Sequence, residues 1–159
     1  MFSIFKKKNL ALKAPISGKV IDLCNVPDEV FSNKMLGDGV AIDTTGDVVV
    51  APCDGTIELI MDTNHAFAMK SNDGLELLVH VGIDTVTLKG QGFKLLRKVG
   101  DKVTAGTPIL ELNRQIFIDN NISLITPVII TNNDALKELN PMIGSDVKHG
   151  DDNIIEYKL

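Results

Sequence analysis

The sequence predicts an all-β chain: an antiparallel β-sandwich or barrel with internal pseudo-repeats and a few short helical turns. Three observations lead there. Short apolar runs are divided throughout by Gly, Pro, Asn and Asp, the punctuation of strands and turns. Ala14-Pro15-Ile16-Ser17-Gly18-Lys19-Val20 is echoed 37 positions on by Ala51-Pro52-Cys53-Asp54-Gly55-Thr56-Ile57. Gly100-Asp101-Lys102-Val103-Thr104-Ala105-Gly106 is echoed 44 positions on by Gly144-Ser145-Asp146-Val147-Lys148-His149-Gly150, each a turn before an apolar strand. Such echoes suit paired halves of one β fold and are too few for a solenoid.

A chain of 159 residues is one domain with room for a core. We divide it into a flexible tail over residues 1–11 and a folded domain over 12–159. Hydrophobic residues make up 44% and charged residues 23%, an ordinary globular balance. The net charge of −5, with no basic stripe, argues against a nucleic-acid partner and suits steering towards a basic protein surface. Cys24 and Cys53 fit no metal spacing and read as free thiols of a reducing compartment.

Taken in order, Met1-Phe2-Ser3-Ile4-Phe5-Lys6-Lys7-Lys8 is apolar and basic, but holds no run long enough for a signal peptide or a span. Stable membrane insertion is not expected, and the protein is placed in the cytoplasm. The first strands open at Ala14. Pro27–Phe31 can form one helical turn, as can 114–120. Asn133–Leu139 offers a capping residue and helix formers, with Asn140-Pro141 as the stop. Lys89-Gly90-Gln91-Gly92-Phe93 lacks the following helix that a phosphate loop needs, and reads as a turn.

The informative stretch is 63–86, a β-hairpin about the polar turn Ser71-Asn72-Asp73-Gly74. On the return strand Leu75, Leu77, Val79, Val81 and Ile83 share the core face, so Glu76, Leu78 and His80 share the other. A turn symmetrical about Asn72 and Asp73 sets Phe67 opposite Leu78 and His65 opposite His80; one extra turn residue would slip the pairing by one. Two imidazoles side by side cannot both be charged without repulsion, so at least one is neutral with a free lone pair. Asp84 lies on the His80 face by alternation. Thr63, two residues before His65, can bond that ring. Phosphoryl or proton chemistry, a metal site and plain surface histidines all fit this spacing. His149, between two glycines, reads as solvated.

Gly74-Leu75-Glu76-Leu77-Leu78-Val79-His80-Val81-Gly82-Ile83-Asp84-Thr85-Val86 resembles the active-site signature of the glucose-type enzyme IIA proteins of the phosphoenolpyruvate-dependent sugar phosphotransferase system. Thr63-Asn64-His65-Ala66-Phe67 resembles that family's second histidine segment. The likeness continues through Ala14-Pro15, Val26-Pro27-Asp28, Phe31, Gly37-Asp38-Gly39, Ala51-Pro52, Asp54-Gly55, Lys89-Gly90, Gly92-Phe93 and Thr126-Pro127-Val128.

The resemblance implies a phosphotransferase that needs no cofactor and no metal. His80 would be the phosphorylated nucleophile, His65 its hydrogen-bonding partner, Thr63 a hydroxyl of that network and Asp84 an acidic neighbour. The histidine phosphocarrier protein would be the donor, and a cysteine on the IIB domain of a glucose-family sugar permease the acceptor. Phe31, Leu36, Met61, Phe67 and Leu78 would form the apolar docking patch; strand alternation itself supports exposure of Phe67 and Leu78. The protein reads as a free-standing monomer. Two other readings stand beside this one: a regulatory binding module switched by phosphorylation of His80, and a zinc-dependent hydrolase, which would need a third protein ligand.

Overall fold

The structure, a computed structural model, describes residues 10–159. Most of the tail read over 1–11 lies outside that range, and Leu10 and Ala11 already belong to the first strand. Strands numbered along the chain form three antiparallel sheets. The largest runs β13 (Asp146–Val147), β2 (Gly18–Ile21), β3 (Asp38–Thr44), β11 (Thr126–Ile130), β7 (Glu76–His80), β6 (Ala66–Ser71), β5 (Gly55–Ile60) and β9 (Lys102–Val103). A second joins β1 (Leu10–Lys13), β14 (Asn153–Lys158) and β12 (Glu138–Pro141), and a third β4 (Val48–Val50), β10 (Pro108–Leu112) and β8 (Phe93–Leu95). This is the expected all-β sandwich. One apolar core draws on all three, with Leu12, Val20, Ile42, Val49, Ile57, Phe67, Leu77, Ile109, Val128 and Ile154 among its buried members.

The sequence echoes become a pseudo-two-fold arrangement of hydrogen bonds. The two Ala-Pro segments interlock, the Lys13 amide donating to Pro52 O (2.8 Å) and the Val50 amide to Pro15 O (2.7 Å). The glycine turns close on them in matching fashion, Gly106 N on Ala51 O (2.8 Å) and Gly150 N on Ala14 O (2.9 Å). Even the side-chain caps correspond. Asp54 Oδ1 accepts from the Ala105 amide (2.8 Å), and Ser17 Oγ accepts from the His149 amide (3.0 Å). His149 is therefore half-buried rather than solvated, with its Nδ1 3.0 Å from the same Ser17 hydroxyl.

Helices α1 (Glu29–Ser32) and α2 (Arg114–Asp119) fall where expected. The helix read over Asn133–Leu139 shrinks to a 3-10 turn at Asn133–Ala135, and Leu139 and Pro141 lie in β12. Pairing with β14, Leu139 opposite Tyr157 and Pro141 opposite Ile155, outweighs a weak local helix preference. Cys24 is exposed and Cys53 buried, both free.

The register of the central hairpin also departs from the symmetrical reading. Ser71 N donates to Leu75 O (2.8 Å), which leaves a three-residue loop, Asn72-Asp73-Gly74, with Gly74 at φ +100°. Each pair slips by one: Ala66 faces His80, Phe67 faces Val79 and Ala68 faces Leu78. Phe67 thus lies in the core at 1% exposure and cannot belong to a docking surface. The face opposite the core carries a second, smaller cluster. Leu23, Val26, Phe31 and Ile83 pack there on Ala41 of β3 and Ile129 of β11, with half-buried Leu78 against them. Ile83 has left the face of Leu75–Val81, because β7 ends at His80 and the chain turns.

Candidate active site

His80 is the last residue of β7, on the face that carries the smaller cluster. The turn after it brings the Gly82 carbonyl back to its ring, with Nδ1 2.7 Å from Gly82 O. A carbonyl only accepts, so Nδ1 carries the hydrogen and Nε2 keeps the lone pair. Alternation stops here: Gly82 (φ +79°) and Asp84 (φ +59°) are left-handed. Asp84 is exposed at the start of a 3-10 turn, Thr85–Leu88, within electrostatic reach of His80 but not bonded to it.

His65 precedes β6 in a turn where Asn64 is at φ +59° and Asn64 N donates to Met61 O. Although strand pairing sets Ala66, not His65, across from His80, the two rings meet edge to face, with centroids 5.0 Å apart and planes at 74°. The Thr63 hydroxyl bonds His65 Nδ1 as expected, from the turn rather than from a continued strand. His65 is buried and His80 half-buried.

Phe31 closes the other side of His80, its ring centroid 5.0 Å away and tilted by 55°. It is buried at 4% exposure, so it backs the imidazole instead of joining the exposed docking patch that the resemblance implied, and it is held by α1, whose cap Asp28 accepts from the Val30 amide (2.9 Å). Asp28 is a contributor that residue-by-residue reading overlooked; only its place in Val26-Pro27-Asp28 hinted at it. Burial pushes the His80 imidazole below its ordinary 6.5, while the Gly82 carbonyl, Asp28 and Asp84 pull it back in part. Burial, then the facing His80, pushes His65 down too. Both rings are therefore neutral at pH 7.

The elements that carry these residues also expose apolar side chains: Met61 before Thr63, Val86 after Asp84, Val30 on α1, and Met35 and Leu36 just beyond it. Leu36 and Met61 were expected. Val30, Met35 and Val86 were not, since exposure in a turn leaves no periodic trace. Among the described residues no three His, Cys, Asp or Glu side chains gather to hold a metal ion.

A paired-histidine site on an antiparallel β-sandwich, with one nitrogen of His80 committed to a backbone carbonyl, defines a class of protein that presents the other nitrogen for chemistry. Residues 10–136 match the family described as phosphoenolpyruvate-dependent sugar phosphotransferase system, EIIA 1, and the chain belongs to that family. It is 39% identical over 153 residues to the PTS system glucose-specific EIIA component of Staphylococcus aureus (strain N315), covering 96% of this chain and 92% of that one. The glucose-specific EIIA component of Buchnera aphidicola subsp. Baizongia pistaciae is 44% identical over 150 residues, 90% of this chain and 89% of that one. The N-acetylglucosamine-specific EIICBA component of Klebsiella pneumoniae is 44% identical over 148 residues, 93% of this chain but 23% of that much longer protein. In structure the chain resembles glucose permease IIA from Mycoplasma capricolum, with a TM-score of 0.87 at 36% identity, covering 94% of this chain and 96% of that one.

Proposed function

We propose that this protein is a phosphoryl carrier in which His80 Nε2 takes phosphate from the histidine phosphocarrier protein and gives it to a cysteine on the IIB domain of a sugar permease. The observation that carries this reading is the Gly82 carbonyl on Nδ1, which leaves Nε2 as a neutral nucleophile on a ring that meets His65 edge to face. The donor's N–P bond breaks as the bond to Nε2 forms, in line, through a loose transition state whose charge is spread over the phosphoryl oxygens. Thr63 donating to His65 Nδ1 leaves a hydrogen on His65 Nε2, which then serves those oxygens. Phe31 walls the ring from water. Asp28 and Asp84 steer a basic partner, and exposed Leu36, Met61 and Val86, with half-buried Leu78, supply the apolar contact.

Incubation with phosphoenolpyruvate, the upstream enzyme and the phosphocarrier protein should place one acid-labile phosphate on His80 and none on the His80→Gln variant. Labelling of that variant at the normal rate would refute the assignment. His65→Gln should take up phosphate but pass it on poorly, and normal onward transfer would remove His65 from the mechanism.

A further inference from the structure

The Gly82 carbonyl can set the state of His80 only if its own peptide cannot turn. That peptide is pinned at both ends. Its carbonyl faces His80 Nδ1, and its amide, the Ile83 N–H, donates to Ser123 O (2.9 Å) on the loop before β11. The two peptides before it are each held at one end. The Val81 amide donates to His65 O (2.7 Å). The Val81 carbonyl accepts from the Thr85 hydroxyl at 2.7 Å. Thr85 is completely buried, and its methyl lies where a side chain on Gly82 would project: an added Cβ would fall 2.5 Å from Thr85 Cγ2. One buried side chain therefore holds a hydrogen bond of the turn and shares its steric wall with Ser123 O, 2.7 Å from the same added Cβ.

We propose that Thr85 is a positioning residue for the reaction: through Val81 O and the left-handed Gly82 it fixes the Gly82 carbonyl on His80 Nδ1, and so keeps the nucleophilic lone pair on Nε2. The Thr85 hydroxyl bonds Val81 O and the His80 ring bonds Gly82 O, so the effect of Thr85 passes through the backbone. This role rests on His80 being the nucleophile, but the tautomer of His80 exists without any phosphoryl partner and can be measured without one.

The test is nitrogen-15 NMR of the imidazoles in the unphosphorylated full chain, on wild type, Thr85→Val and Thr85→Ser. Wild type should show His80 as the Nδ1–H form. Thr85→Val keeps the shape and loses the donor, so a fraction of His80 should move to the Nε2–H form. Phosphoryl uptake at saturating donor should slow about tenfold with little change in KM, roughly the loss of one well-placed hydrogen bond. Thr85→Ser keeps the hydroxyl and should restore both tautomer and rate. A folded Thr85→Val with His80 still wholly Nδ1–H overturns the role, as does a folded Thr85→Ser that has lost that form. Should Thr85→Val fail to fold, the serine variant decides alone. A wild-type tautomer as stated, with no phosphate on His80, would instead count against the carrier reading and leave the turn's function as described.

Discussion

At the scale of single residues, the site depends on two imidazoles that the fold keeps neutral. Both have folded-state pKa values below 6.5, the value they regain on unfolding. The unfolded chain therefore binds protons first as pH falls. Stability is fully present above about pH 6.5 and declines as pH drops towards the folded-state values. Urea unfolding at about pH 7 and about pH 5 should show this loss in wild type, and less of it in a His65→Gln, His80→Gln double variant; equal losses would mean that neither ring is held down. That the two histidines meet was legible in the sequence, because two histidines flanking a turn at near-equal distance must approach each other in a hairpin. Their geometry was not. The sequence does not say that the loop holds three residues, nor that Asn64 and Asp84 sit at positive φ, and these decide where alternation ends.

At the scale of elements, a register slip of one residue carries Phe67 from the surface to the centre of the sandwich. Its partner across the pair is Val79, fully buried, and its neighbours are core residues from several strands. Phe67→Ala should cost about 3–5 kcal/mol of stability, measured by chemical denaturation. Met61→Ser, at 41% exposure, should stay within about 0.5 kcal/mol of wild type while raising KM for a partner protein. The reverse order would restore the symmetrical register. The strand content of 63–86 was readable from alternation. The segment after Asn133 was not, since its strand exists only through pairing with β14, which a local reading cannot see.

At the scale of the whole molecule, the echoed segments meet across a pseudo-two-fold axis where Gly106 and Gly150 touch. A Cβ on Gly150 (φ +76°) would lie 3.2 Å from Gly106 Cα, whereas one on Gly144 (φ +88°) would meet nothing within 4 Å. Alanine at either site should cost about 1–2 kcal/mol for its backbone conformation. Gly150→Ala should cost about 1 kcal/mol more, because backbone on the other side of the axis must move. Equal midpoints in urea would show that the axis is loosely packed. The echoes were visible in the sequence; that they interlock rather than stand side by side required the hydrogen bonds between Lys13 and Pro52 and between Val50 and Pro15. That interlock bears on how the chain comes together in time. Ala14 donates to Asp152 O and accepts from Gly150 N, and among the described residues β1 pairs only with β14. The opening strand must therefore wait, unpaired, for residues made some 140 positions later. The β5–β6–β7 meander, in which each strand pairs with the next along the chain, can form long before, although β7 still awaits β11. The meander that carries the two histidines is thus free to assemble early, while the closing seam sets the pace of folding and is the stretch a chaperone would have to guard.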